Sequence, residues 1–235
     1  MVNKMHSMSV LCFALTLAAY VLVKKLYRRH PYLLLSPALF VPFLMILFML
    51  AFDVSYDTYM EENQWIVWML GPATVAFAIP IYEYRALVCE HIIAIGMGIV
   101  VGMSAGILSA WYLSQWFHFS PEITYSLMSR SISTPFAVEL ASHIHGSAEL
   151  TTLFTILTGM VGMLAGDVVL AVLRLHSHIA EGASLGNAAH GFGSSKAMQR
   201  HQEQGVIASL TMVLAGIFMV LCGPQLITLL TSFSA

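Results

Sequence analysis

At 235 residues the chain is long enough for one or two soluble domains, yet 58% of it is hydrophobic, 9% is charged and its mean hydropathy is +0.80. An ordinary soluble domain carries roughly 25% charged residues, so 10 Lys+Arg and 12 Asp+Glu cannot wet a globule of this size and an integral membrane protein is expected. A net charge of −2 excludes a basic nucleic-acid face, and Cys12, Cys89 and Cys222, far apart in apolar stretches, indicate neither a disulfide framework nor a zinc site.

A bilayer core about 30 Å thick takes roughly 20 helical residues to cross. In chain order the candidate spans are Met8–Val23, Leu33–Phe52, Trp65–Tyr82, His91–Phe117, Ala148–Leu173 and Val206–Phe233. Pro121–Ser142 and Ile179–Arg200 are long enough but unusually polar, and read either as crossings or as re-entrant segments. The fold class expected is therefore an all-α membrane protein of about seven to eight transmembrane segments, some discontinuous or re-entrant. Met8–Val23 lacks a small-residue cleavage site and is followed by Lys24, Lys25, Arg28 and Arg29, so it reads as a retained span with that basic loop cytoplasmic. The loop Asp53–Glu62, with four acids and no base, is then outside. If both polar stretches cross, Lys196 and Arg200 fall inside and Arg174 is the exception; if only Pro121–Ser142 is re-entrant, the reverse holds.

Leu70-Gly-Pro-Ala73 is echoed by Leu185-Gly-Asn-Ala188 at an offset of 115, which also pairs Phe77 with Phe192 and Arg85 with Arg200. This suggests a two-fold internal repeat within a single domain, with 1–120 and 121–235 as the halves. Transporters are often built so, with sites at the repeat interface.

Three constellations bring polar chemistry into these apolar stretches. Gly71 and Pro72, with Thr74 beside them and Pro80 further on, remove backbone hydrogen bonds inside a span; the bland alternative is a kinked packing helix. Ser129-Arg130-Ser131-Ile132-Ser133-Thr134-Pro135 gathers four hydroxyls around one cation. An intramembrane Arg costs at least ~2.5 kcal/mol on insertion scales, so it faces a cavity or a partner. Its planar fork suits a carboxylate and the hydroxyls suit either oxygen; the alternative is a structural pair with Glu139 or Asp167. In Gly182–Lys196 small residues permit close approach or a break, and Asn187, His190, Ser194, Ser195 and Lys196 supply polar groups; the alternative is a small-residue packing helix with a core histidine and a loop Lys. His143, His145, His176 and His178 read as loop residues rather than metal ligands. Gly96, Gly98, Gly102, Gly106, Gly159, Gly162 and Gly166 read as helix packing. No P-loop, GxSxG, HExxH or dinucleotide fingerprint occurs, so the reading is of a non-enzyme without cofactor or metal.

With these residues in view the chain resembles the LrgB/CidB family of bacterial membrane proteins. The likeness is carried by Leu70–Tyr82, by Ser131–Glu139, by Leu150-Thr-Thr with Leu157-Thr-Gly-Met-Val-Gly162, and by Gly182–Ala197. The family usually has Lys where Arg130 stands, and Thr-Ala-Arg-Ala-Leu-Glu where this chain has Ser194-Ser-Lys-Ala-Met-Gln199, so a family acid is absent. The resemblance implies a multi-pass protein of the bacterial inner membrane with one of two functions. One is a holin- or antiholin-like regulator of murein hydrolase export, acting with a small LrgA/CidA-type membrane partner. The other is a transporter of small carboxylates such as pyruvate, glycolate or glycerate, akin to the plastidial glycolate/glycerate transporter. The residues favour the second, because a pore needs oligomerising helices but not a cation, hydroxyls and broken helices in three segments. The substrate would lie between Arg130, Ser131, Ser133, Thr134 and Pro135, the Gly71-Pro72-Thr74 break, and Asn187, His190 and Ser194. Lipid, and other copies of the chain, are its further expected neighbours.

The charge pattern makes a direct prediction about sidedness. In a background lacking the three native cysteines, Asp57→Cys should react with an impermeant thiol reagent in intact cells. Labelling only after lysis would reverse the orientation.

Overall fold

A computed structural model of the protein describes residues 2–30, 35–76, 78–175 and 177–232. They form helices and no strand, and fall into two compact units, residues 1–72 and 73–235. In the first unit α1 (Val2–Arg29), α2 (Pro37–Ala51) and α3 (Tyr56–Trp68) pack around Val23, Val41 and Met45. Proline at the start of α2 costs nothing, since the first amides of a helix lack intrahelical acceptors. Ser55 caps α3 by accepting from the Thr58 amide at 3.3 Å. The acidic segment is thus mostly helix, with Asp53 in the left-handed region (φ 51°) making the turn before it.

The span expected at Trp65–Tyr82 is not one helix. α3 ends at Trp68, and α4 (Leu70–Ala76) and α5 (Ala78–Glu83) follow as short pieces. Gly71-Pro72 sits in α4 and Pro80 in α5, where prolines interrupt the hydrogen-bond ladder. The unit boundary falls within α4, and Phe77 lies outside the described residues.

From there the second unit alternates long helices with broken ones: α6 (Arg85–Trp116), then α7 (Pro121–Ser129) and α8 (Thr134–His143), then α9 (Ala148–Leu173), α10 (His178–Arg200) and α11 (Gln202–Ser232). Among the described residues four segments are long and apolar enough to cross a membrane: His6–Arg29, Cys89–Trp116, Ala148–Leu173 and Gln202–Ser232. Leu153, Leu157, Val161, Leu164, Val168 and Val172 of α9 all face outward, a stripe that water would penalise and lipid does not. This is a membrane protein.

The two polar stretches double back. Pro121–Ser142 is cut at Arg130–Ser133, and the chain leaving α8 returns to α7, where the Ser126 hydroxyl accepts from the Ser147 amide at 2.9 Å. In α10 the backbone leaves helical geometry at His190 (φ 46°, ψ −124°). A straight helix of its 23 residues would part its ends by about 34 Å; instead the rings of His178 and His201 stack with centroids 4.2 Å apart. Arms 178–189 and 191–200 therefore run antiparallel, and a side chain on Gly193 would strike the Leu185 carbonyl.

The base of the first hairpin lies beside the start of α9, and that of the second beside its end, where Asp167 binds Lys196 at 2.6 Å and also Arg200. The tips consequently meet at the middle of α9. Several glycines expected to serve general helix packing instead make room for these tips. A Cβ on Gly106 would lie 2.7 Å from Ser131 Oγ, and one on Gly162 3.0 Å from the Ala188 carbonyl. Gly96 and Gly98 differ, with nothing within 4 Å.

That contrast is testable with one chemical change at two places. Gly96→Ala should stabilise the protein by about 0.5–1 kcal/mol through helix propensity. Gly162→Ala meets backbone it cannot push aside and should cost about 1–3 kcal/mol. Unfolding in detergent checks both, and equal effects would contradict the tip contact.

Candidate functional site

The geometry of the site follows from the breaks. Arg130 ends α7 and is its C-cap, and Ser133 N-caps α8, its carbonyl accepting from the Ala137 amide at 3.0 Å. Pro135 stands in the first turn, where a helix tolerates it. Half-helices that stop inside a bilayer leave amide and carbonyl ends needing partners. Here those ends surround a cavity of about 260 Å³ lined by Gly102, Met103, Gly106, Arg130, Ser131, Thr158, Ser184, Asn187 and Ala188.

Arg130 is half-buried and donates from Nη1 to Thr158 Oγ1 at 3.1 Å. Neither acid considered as its partner holds it. Glu139 pairs with His143 at 3.1 Å, and Asp167 with Lys196 and Arg200. Among the described residues no carboxylate lies within ion-pair distance of Arg130. Asn187 donates from Nδ2 to the Gly98 carbonyl at 3.2 Å, while its Oδ1 is buried without a partner.

Of the candidates drawn from sequence, Arg130, Ser131 and Asn187 share this cavity. Ser133, Thr134 and Pro135 lie just behind it, half-buried at the start of α8, and are not among its lining. Ser194 is buried on the returning arm of α10, its hydroxyl 3.9 Å from Met212 Sδ. His190 forms the turn itself, 3% exposed, with Nε2 unpartnered. A non-glycine residue in that conformation costs about 1–3 kcal/mol, and an unsatisfied buried polar atom costs a similar amount. Gly71 and Pro72 are exposed in the first unit, whereas the cavity lining comes wholly from the second. The Thr74 side chain and His176 lie outside the described residues.

Sequence reasoning missed Thr158, Ser184 and the glycines of α6 as lining. Thr158 stands in the Leu157–Gly162 motif and Ser184 in Gly182–Lys196, so the signal was present without a role. The histidines also need correction: His143 closes α8 at helical spacing from Glu139, and His178 opens α10. Lys196 is not in a loop; with Arg200, Asp167 and Glu181 it closes the base of the second hairpin beside a second cavity of about 310 Å³. Buried Gln204 completes that cluster, donating to Glu181 at 2.6 Å and to His178 Nδ1 at 2.9 Å. Among the described residues no group of three His, Cys, Asp or Glu is placed to hold a metal.

Comparison with known proteins agrees with this architecture of motifs. The profile of the LrgB-like family matches residues 16–229. The chain is similar to YwbG of Bacillus subtilis (strain 168), described as an uncharacterized protein, at 35% identity over 91% of this chain and 95% of that one. It is similar to the holin-like protein CidB of Staphylococcus aureus (strain N315) at 30% identity over 94% of this chain and 96% of that one. No solved structure matches. A family profile over nearly the whole length and relatives aligned end to end leave one conclusion: the chain belongs to the LrgB-like family.

Proposed function

We propose that this protein is a secondary transporter of small carboxylates, of the pyruvate, glycolate or glycerate class, in the bacterial inner membrane, and that it catalyses no reaction. The observation that carries the reading is Arg130: a guanidinium between two half-helix tips, beside a cavity, with a neutral hydroxyl as its hydrogen-bond partner and no described acid against it. A charge in that position demands a counter-ion, and a carboxylate is the anion its fork fits best. Ser131 and Thr158 offer hydroxyls, and Asn187 an amide. The cavity is below the size of a drug-binding pocket, which suits an anion of a few heavy atoms.

The same geometry supports a topology. With α6, α9 and α11 crossing and both hairpins re-entrant, Arg85, Arg174, Lys196 and Arg200 all fall on one side, as the positive-inside rule asks. Together with α1, α2 and the interrupted stretch α3–α5, this gives eight embedded segments. Of the two segments of the proposed repeat, Leu185–Ala197 is interrupted at His190, while the junction of α4 and α5 within Leu70–Tyr82 falls on Phe77, outside the described residues.

The name holin-like borne by CidB favours a second reading, a pore-related regulator working with an LrgA/CidA-type partner. Vesicles distinguish the two: a transporter takes up labelled glycolate and retains a trapped dye, whereas a pore releases the dye.

The decisive variants are at Arg130. Arg130→Gln should weaken carboxylate binding by about 1.5–3 kcal/mol, roughly 10- to 150-fold, with little change in thermal stability. Arg130→Lys keeps the charge and should lose less. A large loss of stability that Glu139→Gln or Asp167→Asn rescues would instead make Arg130 half of a structural ion pair.

A further inference from the structure

His190, a substrate-site candidate in the sequence, is not among the residues that line the cavity and is left without a role at the carboxylate site. Its ring is 3% exposed and its Nε2 has no partner. Its backbone holds φ 46° and ψ −124°, a conformation natural to glycine, and Gly191 stands next in the chain. A glycine at 190 would make the same reversal with no strain and no buried nitrogen.

Arg130 and His190 rest on the same stretch of α9. Arg130 is bonded to Thr158, and Gly159 and Gly162 admit the backbone of Ala188 and Ala189, immediately before His190. No other described charge intrudes between the tips. α6 carries no titratable group between His91 and Tyr112, and α11 none between Glu203 and Cys222. On α9 the first ionisable residue toward the second hairpin's base is Asp167, tied to Lys196 and Arg200. Glu181 at that base accepts from Gln204. On the first hairpin Glu139 is paired with His143, and Glu122 and Tyr125 stand on α7 toward its base.

We propose that His190 is the proton site of this transporter, loaded when a carboxylate binds Arg130. The inference rests on the carboxylate reading and adds its coupling ion. With Arg130 alone, a second positive charge at the neighbouring tip, in a buried site, is opposed by repulsion. A bound carboxylate cancels the first charge and leaves room for another. The lone pair of Nε2, free in the tautomer that carries its hydrogen on Nδ1, then accepts a proton from bulk water, forming one N–H bond. Guanidinium, carboxylate and imidazolium together carry one net positive charge, as Arg130 did alone. Anion and proton therefore bind cooperatively, and by reciprocity each tightens the other.

The test is glycolate binding to the purified protein between pH 6 and 8, where glycolate itself stays ionised. Calorimetry in buffers of different ionisation enthalpy counts the protons taken up. The expected result is uptake approaching one proton per glycolate, with affinity rising as pH falls, by up to tenfold per unit. In His190→Gly, a change that relieves the backbone and so should fold at least as well as the parent, uptake and pH dependence should both vanish. Glycolate binding with no proton uptake in the parent, or uptake that survives in His190→Gly, overturns the proton site and leaves the carboxylate site standing. No glycolate binding by a folded parent overturns both.

Discussion

A guanidinium inside a lipid-embedded fold must be solvated by something, and the second unit is organised around how this is done for Arg130. Continuous helices satisfy their own backbone and leave nothing over for a charge. Two helices stopped halfway do the opposite: their ends expose amides, carbonyls and capping residues at a depth where water is scarce. The breaks at Arg130–Ser133 and at His190 put such ends against one turn of α9. The close approach requires glycine on the long helices, which is why Gly102 and Gly106 of α6 and Gly159 and Gly162 of α9 face the tips.

The hairpins are held differently at their bases. The first closes with neutral groups, Ser126 bonding to the backbone of Ser147. The second closes with charges, Lys196 and Arg200 against Asp167 and Glu181, with Gln204 and a stacked pair of histidines alongside. Two cations against two acids make this cluster neutral as a set. The second hairpin is also fitted to α11 backbone to backbone, since side chains on Gly182 or Gly186 would strike the chain at Gln204 and Ala208. Hairpin and helix form one packed body on that side.

Much of this is legible in the residues. Composition alone determines the solvent, and Ala148–Leu173 is readable to the residue because Ser147 caps it and its apolar run is unbroken. The polar run around Arg130 announces a break, because Ser, Thr and Pro end helices and start new ones. The small residues of Gly182–Lys196 allow either a break or a packing helix, and nothing in them places the reversal at His190. What turns the segment is contact: small residues on one arm seated on α11 and the charged base pinning both ends. The partners of Arg130 are hidden for the same reason. Asp167 and Lys196 are 29 positions apart in the chain, and only the fold shows that they serve each other and leave Arg130 to Thr158.

The hairpin lengths carry an electrical consequence. Arms of 10 to 12 residues reach about 15–18 Å, roughly half the thickness of the hydrocarbon core. On the proposed re-entrant topology, a unit charge resting beside Arg130 sits about midway through the voltage drop across the membrane. A full crossing is worth about 2.3 kcal/mol per charge at 100 mV, so reaching the tips from either face involves about half of that. A lone anion resting there would have its occupancy set partly by membrane potential, and an anion accompanied by a proton would be indifferent to it.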